Sequence, residues 1–113
     1  MMAVEIRSSK ILYNLGSLTR IPSGEGRTFQ IEDVPVAVFH TRSGNVFATQ
    51  AACPHKAGPL ADGITGAGKV ICPLHAYTFD LATGEPIGNT CQALTIYRVF
   101  VSEHGDILLS LEQ

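Results

Sequence analysis

The chain has 113 residues, 45% apolar and 16% charged, the composition of one globular domain with a modest core and not of a disordered segment. Eight Lys and Arg against ten Asp and Glu give a net charge of −2, so the strong positive field that nucleic-acid binding needs is missing. No apolar run nears the roughly eighteen residues of a membrane span and no charged-then-apolar leader opens the chain, so a soluble, cytoplasmic protein is expected, with no nucleic-acid or membrane partner.

Strand signals dominate along the chain. Lys10–Asn14 and Arg27–Ile31 read as short strands, with Gly24-Glu25-Gly26 breaking the chain between them. Val34–His40 (VPVAVFH) is a stronger strand. Val46–Gln50 follows it across Thr41-Arg42-Ser43-Gly44-Asn45, which predicts a hairpin with a five-residue loop. Most of the prolines and more than half of the glycines then fall between Ala51 and Thr90. That composition suits loops of defined shape, and a loop-rich insert of this length is usually functional. After it, Thr95–Ser102 (TIYRVFVS) alternates, with Tyr97, Val99 and Val101 on one face and Arg98 and Ser102 on the other. Glu103-His104-Gly105-Asp106 supplies a turn and Ile107–Leu111 the return strand. No window of helical length keeps a 3.6-residue period. The expectation is one all-β domain over residues 1–113, built as two packed antiparallel sheets or a small barrel.

All three cysteines lie at or just beyond this insert, and an odd number beside histidines is poor material for a disulfide framework. Two pairs stand out: Cys53-Pro54-His55 and Cys72-Pro73-Leu74-His75, sixteen residues apart. Each pair mixes a thiol with an imidazole. A zinc finger usually takes both sulfurs from one loop and both nitrogens from another, so a structural zinc module is the awkward reading of the spacing. A two-iron cluster accepts mixed pairs, each loop giving its Cys to one iron and its His to the other.

At these residues the sequence resembles the Rieske family, over nearly its whole length. Cys53-Pro54-His55-Lys56-Ala57-Gly58-Pro59-Leu60 and Cys72-Pro73-Leu74-His75 look like that family's two cluster-binding loops, and Phe79-Asp80-Leu81-Ala82-Thr83-Gly84-Glu85 like the strand and turn that close the second. The resemblance implies a β-sandwich with a cluster-binding subdomain at about residues 51–90. It implies a 2Fe–2S cluster held by the thiolates of Cys53 and Cys72 and the imidazoles of His55 and His75, with Gly84-Glu85-Pro86-Ile87-Gly88 as a third loop covering it. High-potential members carry a disulfide between the ligand loops and two hydroxyl donors after the second His. The corresponding positions here are Gly58 and Leu74, and Tyr77 and Phe79. Fewer donors to the sulfurs leave the reduced state less stabilised, which predicts a potential toward the low end of the roughly −150 to +300 mV Rieske range.

Among short Rieske domains, the two loops and Leu81-Ala82-Thr83-Gly84-Glu85 resemble the small subunit of NAD(P)H-dependent nitrite reductase more than the ferredoxin component of ring-hydroxylating dioxygenases. In either case the chain is an oxidoreductase component that carries electrons and has no substrate site of its own. Its partner is a larger redox protein: the nitrite reductase large subunit, or a flavin reductase and an oxygenase. Gly63, Gly66 and Gly68 lack the strand–turn–helix setting of a dinucleotide site, and His40 and His104 read as solvated. Cys91 reads as a buried small hydrophobe, Pro54 and Pro73 as loop stiffeners, and Lys56 as a solvated lysine. Gly58, Gly63 and Gly84 read as sites of close backbone approach to the sulfides or of positive φ. Leu60, Leu74 and Pro86 are expected to flank the cluster tip and meet the partner.

Overall fold

The computed structural model describes residues 2–5, 11–74 and 76–111. Its strands are β1 (Met2–Glu5), β2 (Ile11–Ser17), β3 (Glu25–Ile31), β4 (Val34–His40), β5 (Val46–Gln50), β6 (Ile64–Gly66), β7 (Lys69–Ile71), β8 (Thr78–Asp80), β9 (Pro86–Ile87), β10 (Ile96–Val101) and β11 (Asp106–Ser110). All pairings among them are antiparallel. One sheet has the order β1-β2-β11-β10-β5-β4-β3, and a smaller one the order β6-β7-β8-β9. Two single 3₁₀ turns, Leu18–Arg20 and Leu60–Asp62, are the helical content of the described residues.

β4 explains how one sheet serves two cores. Side chains alternate across a strand, so a continuous apolar run implies burial on both faces. Val36, Ala37, Val38 and Phe39 are all fully buried. Val36 and Val38 point into a core with Leu15, Ile21, Ile31, Ala48, Ile107 and Leu109. Because this core draws on β2 and β11 at one end of the large sheet and on β3 at the other, the sheet curls until its halves pack face to face. Ala37 and Phe39 point the other way, into a second core with Leu60, Val70, Phe79, Leu81, Leu94, Cys53 and Cys72. The small sheet and its loops are seated on that second face.

The hairpin of β4 and β5 forms with the expected bounds and a five-residue loop, in a register that pairs His40 with Val46. Other boundaries differ from expectation. The first strand runs over Ile11–Ser17, beyond Asn14, because it pairs with β11 as far as Ser17, with a register shift between Asp106 and Leu108; Lys10 lies outside the described residues. Glu25 and Gly26 do not break the chain. They open β3, because pairing with His40 and Phe39 supplies their backbone partners, and the break is at Gly24, with φ +88°. Asp106 begins β11 instead of ending a turn. Tyr97, Val99 and Val101 alternate along β10 as expected, the first two half-buried and Val101 exposed at the strand's end. β8 takes in Phe79 and Asp80 of the strand expected to close the second loop, while β1, β6, β7 and β9 have no sequence signal of their own. At two to four residues they are too short for a periodicity to show. The Ala67-Gly68 turn joining β6 and β7 is identifiable in retrospect, since both residues adopt positive φ as a two-residue hairpin of this hand requires.

Candidate metal centre

Two loops carry the paired Cys and His residues, and they are the same turn used twice. In the first, between β5 and the Leu60–Asp62 turn, the Cys53 N–H donates to the Gly58 carbonyl at 2.8 Å. In the second, between β7 and β8, the Cys72 N–H donates to the Tyr77 carbonyl at 2.8 Å. Each bond spans five residues. The fourth residue after each Cys takes a left-handed conformation, Ala57 at φ +58° and Ala76 at φ +55°. An alanine there costs about 1–2 kcal/mol, so the surrounding packing holds both turns in shape. Pro54 and Pro73 occupy the same step of the two turns, where a fixed φ stiffens the loop.

The loops bring the two thiols together. Cys53 and Cys72 are each 2% exposed, and both are free. The Cys53 thiol lies within hydrogen-bonding reach of Cys72. Burial pushes the Cys72 thiol above its ordinary value and the neighbouring Cys53 thiol adds to this, against a backbone hydrogen bond from Leu74 that favours the thiolate. That backbone donor at a sulfur is the kind that stabilises a metal-bound thiolate. His55 is half-buried and its Nδ1 is shielded from solvent. Its ring stacks on Tyr77, with centroids 4.2 Å apart and planes at 27°. His75 lies outside the described residues.

Gly58 and Leu74, the positions expected to correspond to the disulfide of high-potential members, are in contact here without one. A Cβ on Gly58 would sit 3.1 Å from Leu74 Cγ and Cδ1 and 3.0 Å from Cys72 Sγ. The leucine side chain therefore lies over the bare glycine and closes the same seam with an apolar contact. Of the two expected roles, Gly84 takes the positive φ, at +81°, and the N–H groups of Gly63 and Gly84 both have backbone partners. These donate to the Leu60 and Asp80 carbonyls within tight turns and are not left to face a sulfide.

Other residues are placed as follows. Cys91 is half-buried against the second core, not fully buried as expected. Partial burial and the nearby Cys53 thiol raise its pKa. His40 is half-buried and its Nδ1–H donates to the Ile21 carbonyl at 2.7 Å, while His104 and Lys56 are exposed. Leu60 is fully buried and so cannot flank an exposed tip; Leu74 is exposed and Pro86 half-buried. Pro86 and Ile87 form β9, pairing with Phe79 and Thr78, so the expected third loop is partly a sheet edge. Among the described residues no helix is long and apolar enough to cross a membrane.

The turn after β8 is held by Asp80, whose Oδ1 accepts the N–H groups of Ala82 at 2.9 Å and Thr83 at 3.0 Å. These bonds, that of Thr83 foremost, hold the carboxyl below its ordinary 3.8. A depressed carboxyl contributes stability above its unfolded pKa and loses it as pH falls through the folded value. The stability difference between the wild type and Asp80→Asn is therefore expected at pH 7 and should vanish well below pH 3.8. Denaturant melts at the two pH values check this.

Comparison with known proteins adds four findings. The family model of the Rieske 2Fe–2S domain matches residues 12–98. The ferredoxin subunit of 3-phenylpropionate/cinnamic acid dioxygenase from Escherichia coli (strain K12) is 33% identical over 91 residues, 79% of this chain and 85% of that protein. The oxygenase component of Dicamba O-demethylase from Stenotrophomonas maltophilia is 44% identical over 55 residues, 49% of this chain but 16% of that protein, so the chain spans a small part of that enzyme. A solved structure from Mycobacterium tuberculosis, provisionally described as the small subunit of an NADH-dependent nitrite reductase, superposes with a TM-score of 0.83. The superposition covers 100% of this chain and 99% of that one, at 19% identity, a likeness of fold.

Proposed function

The chain belongs to the Rieske 2Fe–2S domain family and is a Rieske-type electron-transfer ferredoxin, and on that premise we propose that Cys53 and Cys72 hold one iron of its cluster and His55 and His75 the other. The observation that carries this is the pair of matching turns with their two buried thiols side by side. The donor set fits the group: adjacent thiols suit one iron, and an imidazole two residues beyond one of them suits its neighbour. The cluster, when bound, supplies one-electron redox chemistry. Around it the chain's own residues do the rest. Leu74 gives a backbone hydrogen bond to the Cys72 sulfur, Leu74 over Gly58 clasps the loops together, and the second core excludes water from the sulfurs. The reading takes residues 1–113 as one domain whose cluster-binding part is about 51–90.

Rieske ferredoxins work with larger redox partners. For this chain we read the partner as the large subunit of an assimilatory NAD(P)H nitrite reductase, in the cytoplasm, on the residues of the ligand loops and of Leu81-Ala82-Thr83-Gly84-Glu85. The second reading, a ferredoxin between a flavin reductase and a ring-hydroxylating oxygenase, is favoured by the 33% identity to the dioxygenase ferredoxin subunit. Stopped-flow oxidation of the dithionite-reduced chain by each candidate partner decides between them. Fast oxidation by the nitrite reductase large subunit alone supports the first reading, and fast oxidation by an oxygenase alone overturns it.

Two expected results accompany the cluster assignment. The midpoint potential should lie well below about +100 mV, toward the low end of the Rieske range, because Phe79 offers no hydroxyl and Tyr77 turns its ring to His55. A redox titration reads this directly. Cys91→Ser should leave the iron content and visible spectrum unchanged, since Cys91 packs beside the site without a place in either turn.

A further inference from the structure

Tyr77 belongs to both ligand loops at once. Its carbonyl accepts the Cys72 N–H and so closes the second loop. Its ring lies on the imidazole of His55, which comes from the first loop. The residue that follows, Thr78, begins β8 and is fixed between Ile71 and Ile87 in the small sheet. The ring itself packs against the core that holds both thiols. A rigid strand thus carries an aromatic plate whose free face meets one donor side chain of the other loop.

We propose that Tyr77 is a positioning residue for His55: its ring fixes the plane of the imidazole and keeps water from that face, and thereby holds the potential down. This rests on the reading of His55 as a cluster ligand. The physical ground is twofold. An imidazole turns easily about its terminal bond, because that torsion has broad, shallow wells, so a stacked plate selects one plane. Reduction adds a negative charge to the centre, and shielding from water disfavours the more charged form. Loss of the plate admits water and lets the potential rise. The phenol oxygen has no part in the stack, so the ring and not the hydroxyl is the working element.

Tyr77→Phe and Tyr77→Leu, made in the full chain and purified anaerobically with the cluster in place, separate the ring from simple bulk. The readouts are iron and sulfide content, midpoint potential, and the g-values and linewidth of the reduced protein in EPR. Tyr77→Phe is expected to match the wild type in all of them. Tyr77→Leu is expected to shift the potential upward and broaden the signal, as the imidazole plane becomes heterogeneous. Iron loss in Tyr77→Leu with full iron in Tyr77→Phe also supports the proposal, since only the ring distinguishes the two. A Leu variant that matches the wild type, or a Phe variant that shifts or loses iron as the Leu variant does, overturns it. Failure of the underlying assignment has a separate signature, a Rieske signal that survives His55→Ala.

Discussion

Cys72→Ala and His55→Ala are each expected to take the purified chain from about two irons to none, with sulfide lost in step and no Rieske-type EPR signal after dithionite reduction. On the proposed assignment each of the four residues completes the coordination of one iron, so the loss of any one leaves that iron a ligand short. What should survive is equally specific. Cys53 and Cys72 belong to the core on the Phe39 face of β4, while the core on the Val36 face contains neither. Metal binding and local folding are coupled, so hydrogen exchange should quicken across the two loops and β6–β9. Protection in β3, β4, β5 and β11 should persist, with a far-ultraviolet spectrum that keeps its strand signal. His55→Ala with an intact Rieske signal would remove His55 from the ligand set. Uniform loss of protection would show that the two cores are not separable.

Gly84→Ala should destabilise the fold strongly, through both a strained backbone and a collision with backbone. Gly84 is buried in the turn after β8, with φ +81°. A Cβ there would sit 2.4 Å from the Leu94 carbonyl oxygen, a backbone atom that cannot step aside. The Leu94 N–H donates to the Gly84 carbonyl at 2.8 Å, so the segment leading to β10 is fastened at this point. Left-handed φ alone costs an alanine about 1–2 kcal/mol. The collision with backbone adds to it, for a loss of ~3 kcal/mol or more out of a typical total of about 5–15 kcal/mol. Gly105 separates the two contributions. It has φ +84° but nothing within 4 Å of its would-be Cβ, so Gly105→Ala should cost about 1–2 kcal/mol, from φ alone. Urea melts of the pair measure the difference, and equal losses would mean that the Leu94 contact is relieved at no cost.

The long strands were legible because their signals are local. VPVAVFH is apolar at every step but its proline and closing His40, and a run of that kind states burial on both faces before any neighbour is known. Which face meets which core was not legible, since it depends on residues as distant as Ile107 on one side and Leu81 on the other. Most of the small sheet was hidden for another reason. Strands of two or three residues carry too few positions to show alternation, and their pairing is imposed by the loops they connect. The left-handed positions in the ligand loops were hidden as well. Glycine or asparagine would have marked them, but Ala57 and Ala76 are residues that ordinarily avoid that conformation.

The sequence by itself determined the chemistry of the site. Thiol and imidazole stand two and three residues apart within single loops, and such spacing survives whatever the rest of the chain does. Tertiary structure alone decided how the two loops face each other: Leu74 over Gly58, Tyr77 on His55, and Cys91 beside the thiols without a place in either turn. These are through-space contacts between segments some sixteen to thirty-eight residues apart. They exist because Phe39 and Ala37 draw both loops onto one face of β4, a packing outcome that no local pattern encodes.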